Sequence, residues 1–193
     1  MGRSGLRGRR GRSDFRLVIL GMKHKNIALE VLRKLLNDEI KARAKTNLVK
    51  SKSLLEMLEE SIKKYQNKIL TAAEEIDELI RLSKDIVKID KEAEEMHFSK
   101  FEYAFYSAVA NNESARELMQ QDTLRELAVV LTDKVRKNAS IDWTIKESVR
   151  AKLKVMIKRT LRQYGYPPDM QKLATETVLA QAELIADELT REV

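Results

Sequence analysis

The sequence predicts an all-α fold, a multi-helix bundle of about six to eight helices built on one long heptad-patterned helix, with no sheet. Residues 22–164 contain neither glycine nor proline, so β-hairpin turns lack their usual residues. Aromatic residues make up 5% of the chain and charged residues 35%, which favours aliphatic helix packing. Apolar residues also recur every three or four positions through most of the chain, as on one face of a helix.

The first helix is predicted from about residue 26 to residue 44. Its expected core face lies at helical spacing and consists of Ile27, Val31, Leu32, Leu35, Leu36 and Ile40. The polar residues 46–53 that follow are either a turn or the start of the next helix.

A continuous heptad pattern predicts one helix over residues 53–88, about 50 Å long. Its seam consists of Leu55, Leu58, Ile62, Tyr65, Ile69, Ala72, Ile76, Leu79, Ser83 and Ile86. The seam could form an intermolecular coiled coil or the spine of a bundle within the chain. Additional apolar positions at Leu54, Ala73, Ile80 and Val87 widen the stripe, which favours the bundle.

Shorter helices are predicted next. Residues 90–95 are interpreted as a link, and Ser99 with Glu102 has the spacing of a capping box. The helix that this box opens should end at residues 111–112. One or two helices then reach residue 137, with Asp122 as a candidate cap.

The stretch from residue 141 to residue 169 contains the only tryptophan and both prolines of the chain. Asp142 suits the N-cap of a helix that ends near Gly165, because glycine readily adopts a left-handed C′ conformation. Pro167 and Pro168 cannot continue that helix. Asp169 is then predicted to cap a last helix over residues 170–188.

Charge and composition limit the class of protein. Of the net charge of +7, five units come from arginines in residues 1–12, which contain no acid, so the remainder is close to neutral. Residues 1–21 are predicted to be a disordered Gly/Arg-rich leader foreign to the domain of residues 22–193, with a nucleic-acid tail or a targeting peptide as alternatives. The lack of cysteine fits the cytoplasm, and no apolar run is long enough to span a membrane.

Catalytic motifs are not found in the sequence. The distribution of glycine excludes a phosphate-binding loop after residue 21. The adjacent acidic pairs, such as Glu74 with Glu75, are expected to be solvated, and His24 and His97 lack metal-ligand spacing. We therefore predict no catalytic residue, no metal site and no cofactor in this chain.

Two groups of residues are candidates for binding. A row of cations at steps of four could contact phosphates, or could be a solvated face balanced by the acidic last helix: Lys146, Arg150, Lys154, Lys158 and Arg162. Aromatic residues and prolines at the helix corner could close a core or anchor a protein partner: Trp143, Tyr164, Tyr166, Pro167 and Pro168.

Several segments resemble the C-terminal helical region of the R (restriction) subunit of type I restriction-modification enzymes. The resemblance covers roughly residues 23–190, and its segments are DWTIKESVRAKL (142–153), KRTLRQYGYPPD (158–169), KNIALEVLRKLLNDEIK (25–41), EYAFYSAVANNESA (102–115) and TVLAQAE (177–183).

This resemblance implies a non-catalytic domain that docks the ATP-dependent DNA translocase and nuclease onto the methyltransferase core. Its partners would be the modification and specificity subunits and the rest of the R subunit, with DNA reached through the complex and no membrane. ATP and Mg²⁺ would act in other domains of the parent subunit, an ATP-dependent site-specific deoxyribonuclease. The alternatives are a nucleic-acid-binding module that uses the basic helix over residues 144–164, and a homo-oligomeric coiled-coil scaffold.

Overall fold

The computed structural model describes residues 25–138 and 147–191. This part of the chain contains α-helices and no strand, so the predicted all-α fold is confirmed. The helices are α1 (Lys25–Ala44), α2 (Leu48–Gln66), α3 (Ala72–Glu95), α4 (Lys100–Ala110), α5 (Glu113–Leu118), α6 (Gln121–Asn138), α7 (Glu147–Gln163) and α8 (Gln171–Arg191).

Helices α1, α2 and α3 form a three-helix bundle, called here the first bundle. Its buried core is entirely aliphatic: Ala28, Leu29, Leu32, Leu36, Ile40, Leu54, Leu58, Ile76, Leu79, Leu82 and Ile86. Arg43 of α1 pairs with Asp90 late in α3, while Asn26 at the start of α1 accepts a 3.4 Å hydrogen bond from Tyr65 at the end of α2. These contacts show that α1 runs parallel to α3 and antiparallel to α2.

The predicted single helix over residues 53–88 is wrong, because a turn separates α2 from α3. Lys68 adopts a left-handed φ of 58°, and the amide of Ile69 donates to the carbonyl of Lys64. Thr71 then forms a capping box with Glu74, whose carboxylate accepts from the Thr71 amide at 2.7 Å. The heptad spacing concealed this turn because apolar residues continue through it, although Ile69 is 68% exposed.

The seam itself packs within the chain, as the bundle interpretation predicted. Leu58 on α2 and Leu79 on α3 are buried in the same core. The two helices that carry most of the seam therefore pack against each other and against α1, while the seam residue Ile69 is exposed in the turn between them.

Several predicted helix ends need correction. Residues 90–95 are the last turn of α3 and not a link. Asp122 lies inside the first turn of α6, which begins one residue earlier. Asp169 does not cap α8, because the carbonyl of Met170 accepts the first helical bond, from Ala174. Asp142 lies outside the described residues.

Other boundaries are confirmed. Asn47 is the N-cap of α2, its side chain accepting from the Lys50 amide at 3.0 Å, so residues 48–53 belong to that helix. Ser99 and Glu102 form the predicted capping box of α4. Asn111 ends α4, and Asn112 caps α5.

Helices α4 to α8 form the second bundle. Its buried core includes aromatic as well as aliphatic side chains, among them Phe101, Phe105, Leu127, Leu131, Ile157, Leu161, Tyr166, Val178 and Ile185. The two bundles meet at the start of α2, where Val49 packs against the second core. There the buried side chain of Gln181 accepts from the amide of Leu48 (2.8 Å) and donates to the carbonyl of Thr46 (2.7 Å).

Candidate interaction surfaces

The proline corner between α7 and α8 is partly a core element. Gly165 has a left-handed φ of 69°, and the Tyr166 amide donates to the carbonyl of Leu161, which ends α7 as the sequence predicts. Tyr166 is 1% exposed, and its hydroxyl donates to the carbonyl of Val109 at 2.8 Å. Burial raises the pKa of Tyr166 to about 12. Pro167 is also buried, and Tyr166 belongs to the second core.

The other residues of the corner reach the surface. Tyr164 is half-buried and Pro168 is exposed. They line two different grooves, one beside α6 and one between α7 and α8. Trp143 lies outside the described residues.

The first of these is called the Tyr164 groove, a depression of about 470 Å³ lined by Met96, His97, Phe98, Glu102, Arg125, Glu126, Val129, Val130 and Tyr164. Arg125 holds the segment of Met96 and Phe98 in place on one wall of the groove. Its Nη2 donates to the carbonyl of Met96 at 2.8 Å, and its guanidinium lies 5.4 Å from the Phe98 ring centre. The groove therefore combines aromatic and aliphatic walls with a charged rim.

Sequence reasoning missed this groove because its walls come from three separate segments. His97 has a left-handed φ of 54°, and the Phe98 amide donates to the carbonyl of Ala93. This tight turn places Phe98 5.6 Å from Tyr106, measured between ring centres. The sequence had singled out Tyr164 of this groove, and a further signal was Phe98 directly before the capping box.

The basic row of α7 is exposed at Arg150, Lys154, Lys158 and Arg162, and Lys146 lies outside the described residues. Arg150 forms a charged hydrogen bond with Glu183 of α8, which is the helix-to-helix charge balance considered as the alternative to phosphate binding. Lys154 and Lys158 form no ion pair with a described residue. Glu183 therefore balances the charge of Arg150, whereas Lys154 and Lys158 in the middle of α7 have no acidic partner among the described residues.

The second groove, called the α7–α8 groove, has a volume of about 340 Å³. Its walls are Lys154, Lys158, Arg162, Pro168, Gln171, Lys172 and Thr175. The structure thus brings three of the predicted cations together and adds Lys172, which the sequence did not associate with them.

Two other expectations from the sequence are corrected. Glu75 is not solvated, because it is fully buried and accepts two hydrogen bonds from Arg33, at 2.8 and 2.7 Å. Its burial raises its pKa, and the Arg33 guanidinium partly offsets that rise. On α1, Ile27, Val31 and Leu35 are 56%, 42% and 47% exposed and do not belong to the core face.

Within the described residues, no group of histidine, aspartate and glutamate side chains could hold a metal ion. None of the helices in that part of the chain has the length and apolarity that crossing a bilayer requires. His97 is exposed. His24 lies outside the described residues.

The described residues thus form an all-α protein of two small helical bundles, with grooves and charged faces on its surface. The chain belongs to the family described as type I restriction enzyme HindI endonuclease subunit-like, C-terminal, which matches residues 12–188. That match begins inside the segment predicted to be a foreign leader.

The chain spans about a sixth of the length of two relatives that it matches. The type I restriction enzyme HindI endonuclease subunit of Haemophilus influenzae is 39% identical over 166 residues, which are 86% of this chain and 16% of that protein. A Methanocaldococcus jannaschii protein named for the endonuclease subunit of type I restriction enzyme MjaIXP is 30% identical over 155 residues, 79% of this chain and 15% of that protein. No solved structure matches the chain significantly.

Proposed function

We propose that this chain is a non-catalytic docking domain of a type I restriction endonuclease subunit. It would hold the ATP-dependent translocase and nuclease against the methyltransferase core that the modification and specificity subunits form. Support comes from its membership of the C-terminal family and from the small share of its relatives that it spans. ATP and Mg²⁺ would act in other parts of the subunit, and the complex would work in the cytoplasm.

The observation that carries this proposal is the Tyr164 groove. Protein interfaces depend on a few aromatic and arginine side chains that fit into well-packed, desolvated sites. Tyr164 and Phe98 supply aromatic surface here, and Arg125 is held in place by its bond to the backbone. A groove that is already ordered also reduces the entropy lost on binding.

The rim of the groove fits recognition of a protein. Glu102 and Glu126 lie among its lining residues together with Arg125, so both signs of charge surround the apolar walls. Such a rim sets orientation and specificity more than raw affinity. The coiled-coil alternative has less support, because most residues of the heptad seam pack inside the first bundle.

The test is gel filtration with light scattering on the chain mixed with the methyltransferase core from the same operon, at low and high salt. We expect a monomer that joins the core at both salts. Tyr164→Glu should weaken the complex by about thirtyfold, the loss typical of a hot-spot residue. Val155→Glu is the matched control, because Val155 is 67% exposed on α7 and lies outside the groove.

Two outcomes would contradict docking at this groove. One is a complex that tolerates Tyr164→Glu as well as it tolerates Val155→Glu. The other is a chain that never joins the core at either salt. Circular dichroism of both variants separates lost binding from lost folding, since Tyr164 also packs against the second core.

A further inference from the structure

We infer that the α7–α8 groove binds the phosphate backbone of duplex DNA, a direct contact that the docking proposal does not require. Its cationic walls are Lys154, Lys158, Arg162 and Lys172, and none of the seven residues that line it is acidic. Cations gathered without carboxylates around one concave surface favour a polyanion as the occupant.

The spacing of these cations suits a polymer with regularly spaced charges. Lys154, Lys158 and Arg162 follow one another at four-residue steps, each of which advances about 6 Å along an α-helix. Lys172 adds a charge from the facing helix. DNA presents phosphates in regular succession, and each one that is neutralised by lysine or arginine releases condensed counterions.

Arg162 is oriented by its neighbours. Its Nε donates to Oε1 of Gln171 at 3.3 Å, and Nε2 of Gln171 donates to the carbonyl of Tyr166 at 2.8 Å. Gln171 is buried, and Tyr166 is itself fixed to Val109 in the core. The Nη nitrogen atoms of Arg162 form no hydrogen bond with a described residue, so they remain available for a paired contact with phosphate oxygens.

The cations of the groove differ from the basic row that the sequence predicted. Arg150 is bonded to Glu183 and lies outside the groove, whereas Lys172 joins it. The proline corner is the reason, because it turns the chain so that the first turn of α8 faces the last turns of α7. A pattern confined to α7 could not show a cation from the next helix.

The experiment measures binding of the full 193-residue chain to a short fluorescent DNA duplex, by anisotropy at several salt concentrations. The tested variant is Lys154→Glu with Lys158→Glu. The matched control is Lys84→Glu with Lys88→Glu, an exposed pair at the same spacing on α3. The unaltered chain and both variants keep the arginines of residues 1–12. The contribution of those arginines therefore cancels when the three affinities are compared.

We expect the groove variant to lose about tenfold or more in affinity at low salt. The slope of log affinity against log salt should fall by about 2, roughly one unit for each phosphate contact removed. The control pair should change both quantities far less. Gln171→Ala, which removes the support of Arg162, should give a smaller loss than the groove variant.

Equal losses for the two charge reversals would overturn the site, because only net charge would then matter. Duplex binding that is absent, or that does not depend on salt, would also overturn it. If polyglutamate bound as tightly as the duplex and showed the same loss in the groove variant, the occupant would be an acidic polypeptide and not DNA.

Discussion

The two bundles use different interactions to hold their helices together. Between helices, the first bundle joins an aliphatic core with ion pairs, such as Arg33 with Glu75 and Arg43 with Asp90. The second bundle has aromatic residues in its core, and one of them, Tyr166, is bonded to a backbone carbonyl in a distant segment. The first bundle therefore adds one buried ion pair, Arg33 with Glu75, to its aliphatic core. The second bundle adds the buried corner at Tyr166, and its ion pair between helices, Arg150 with Glu183, is partly exposed.

The largest effect is expected at that corner. Tyr166→Ala should cost about 3–5 kcal/mol, as for other buried aromatic residues, because it leaves a cavity and an unpaired carbonyl at Val109. Tyr166→Phe keeps the ring and should cost about 1 kcal/mol. Urea unfolding followed by circular dichroism gives both values.

Hydrogen exchange then sharpens the comparison between the bundles. Tyr166→Ala should lower amide protection in α4, α7 and α8 more than in α1 and α3, because the corner contacts only the second core. Equal loss of protection in all of these helices would contradict the division and show that the two bundles open as one unit.

The features that the sequence predicted correctly are local ones. In α1 the periodic pattern predicted a helix and its bounds, and α4 was predicted from its capping box. These features are local, because caps and helical periodicity depend on residues within a few positions of one another. The turn at residues 67–70 was missed because it contains neither glycine nor proline, and Lys68 pays the cost of a left-handed conformation.

Candidate sites were harder to predict, because they depend on contacts between distant segments. Tyr166 and Tyr164 look alike in sequence, yet one is buried and the other lines a groove. The pairing of Glu75 with Arg33 spans 42 residues and has no local signature. Lys172 joins the basic row only after the proline corner has turned the chain.

The next largest effect is expected at the buried ion pair of the first bundle. Arg33→Ala should cost about 3 kcal/mol near neutral pH, because it leaves the buried Glu75 carboxylate unpaired. Replacing both residues, Arg33→Met with Glu75→Leu, should cost far less, since no buried charge then remains. Urea unfolding of the two variants gives the comparison.

The pH dependence of Arg33→Ala has a definite sign. Burial already raises the pKa of Glu75, and loss of the arginine removes the main opposing effect. An acid whose pKa is higher in the folded state destabilises that state at high pH, and the penalty fades as the carboxyl group is protonated. The deficit should therefore be largest at about pH 8 and shrink towards about pH 4, where the unfolded carboxyl is also protonated. A deficit that grows on acidification would contradict burial of Glu75.

The smallest expected effect lies where the two bundles meet. Gln181→Ala removes both bonds to the segment before α2 and should cost about 1–3 kcal/mol, because the amide of Leu48 and the carbonyl of Thr46 lose their partner. Glu176→Ala, an exposed change on the same helix, is the control and should stay within about 0.5 kcal/mol. If this contact couples the bundles, the urea unfolding of Gln181→Ala should also broaden, because they would no longer unfold in a single step. If the urea midpoint falls but the transition stays equally sharp, the bundles are coupled by the remaining contacts, such as that between Asn47 and Ser107.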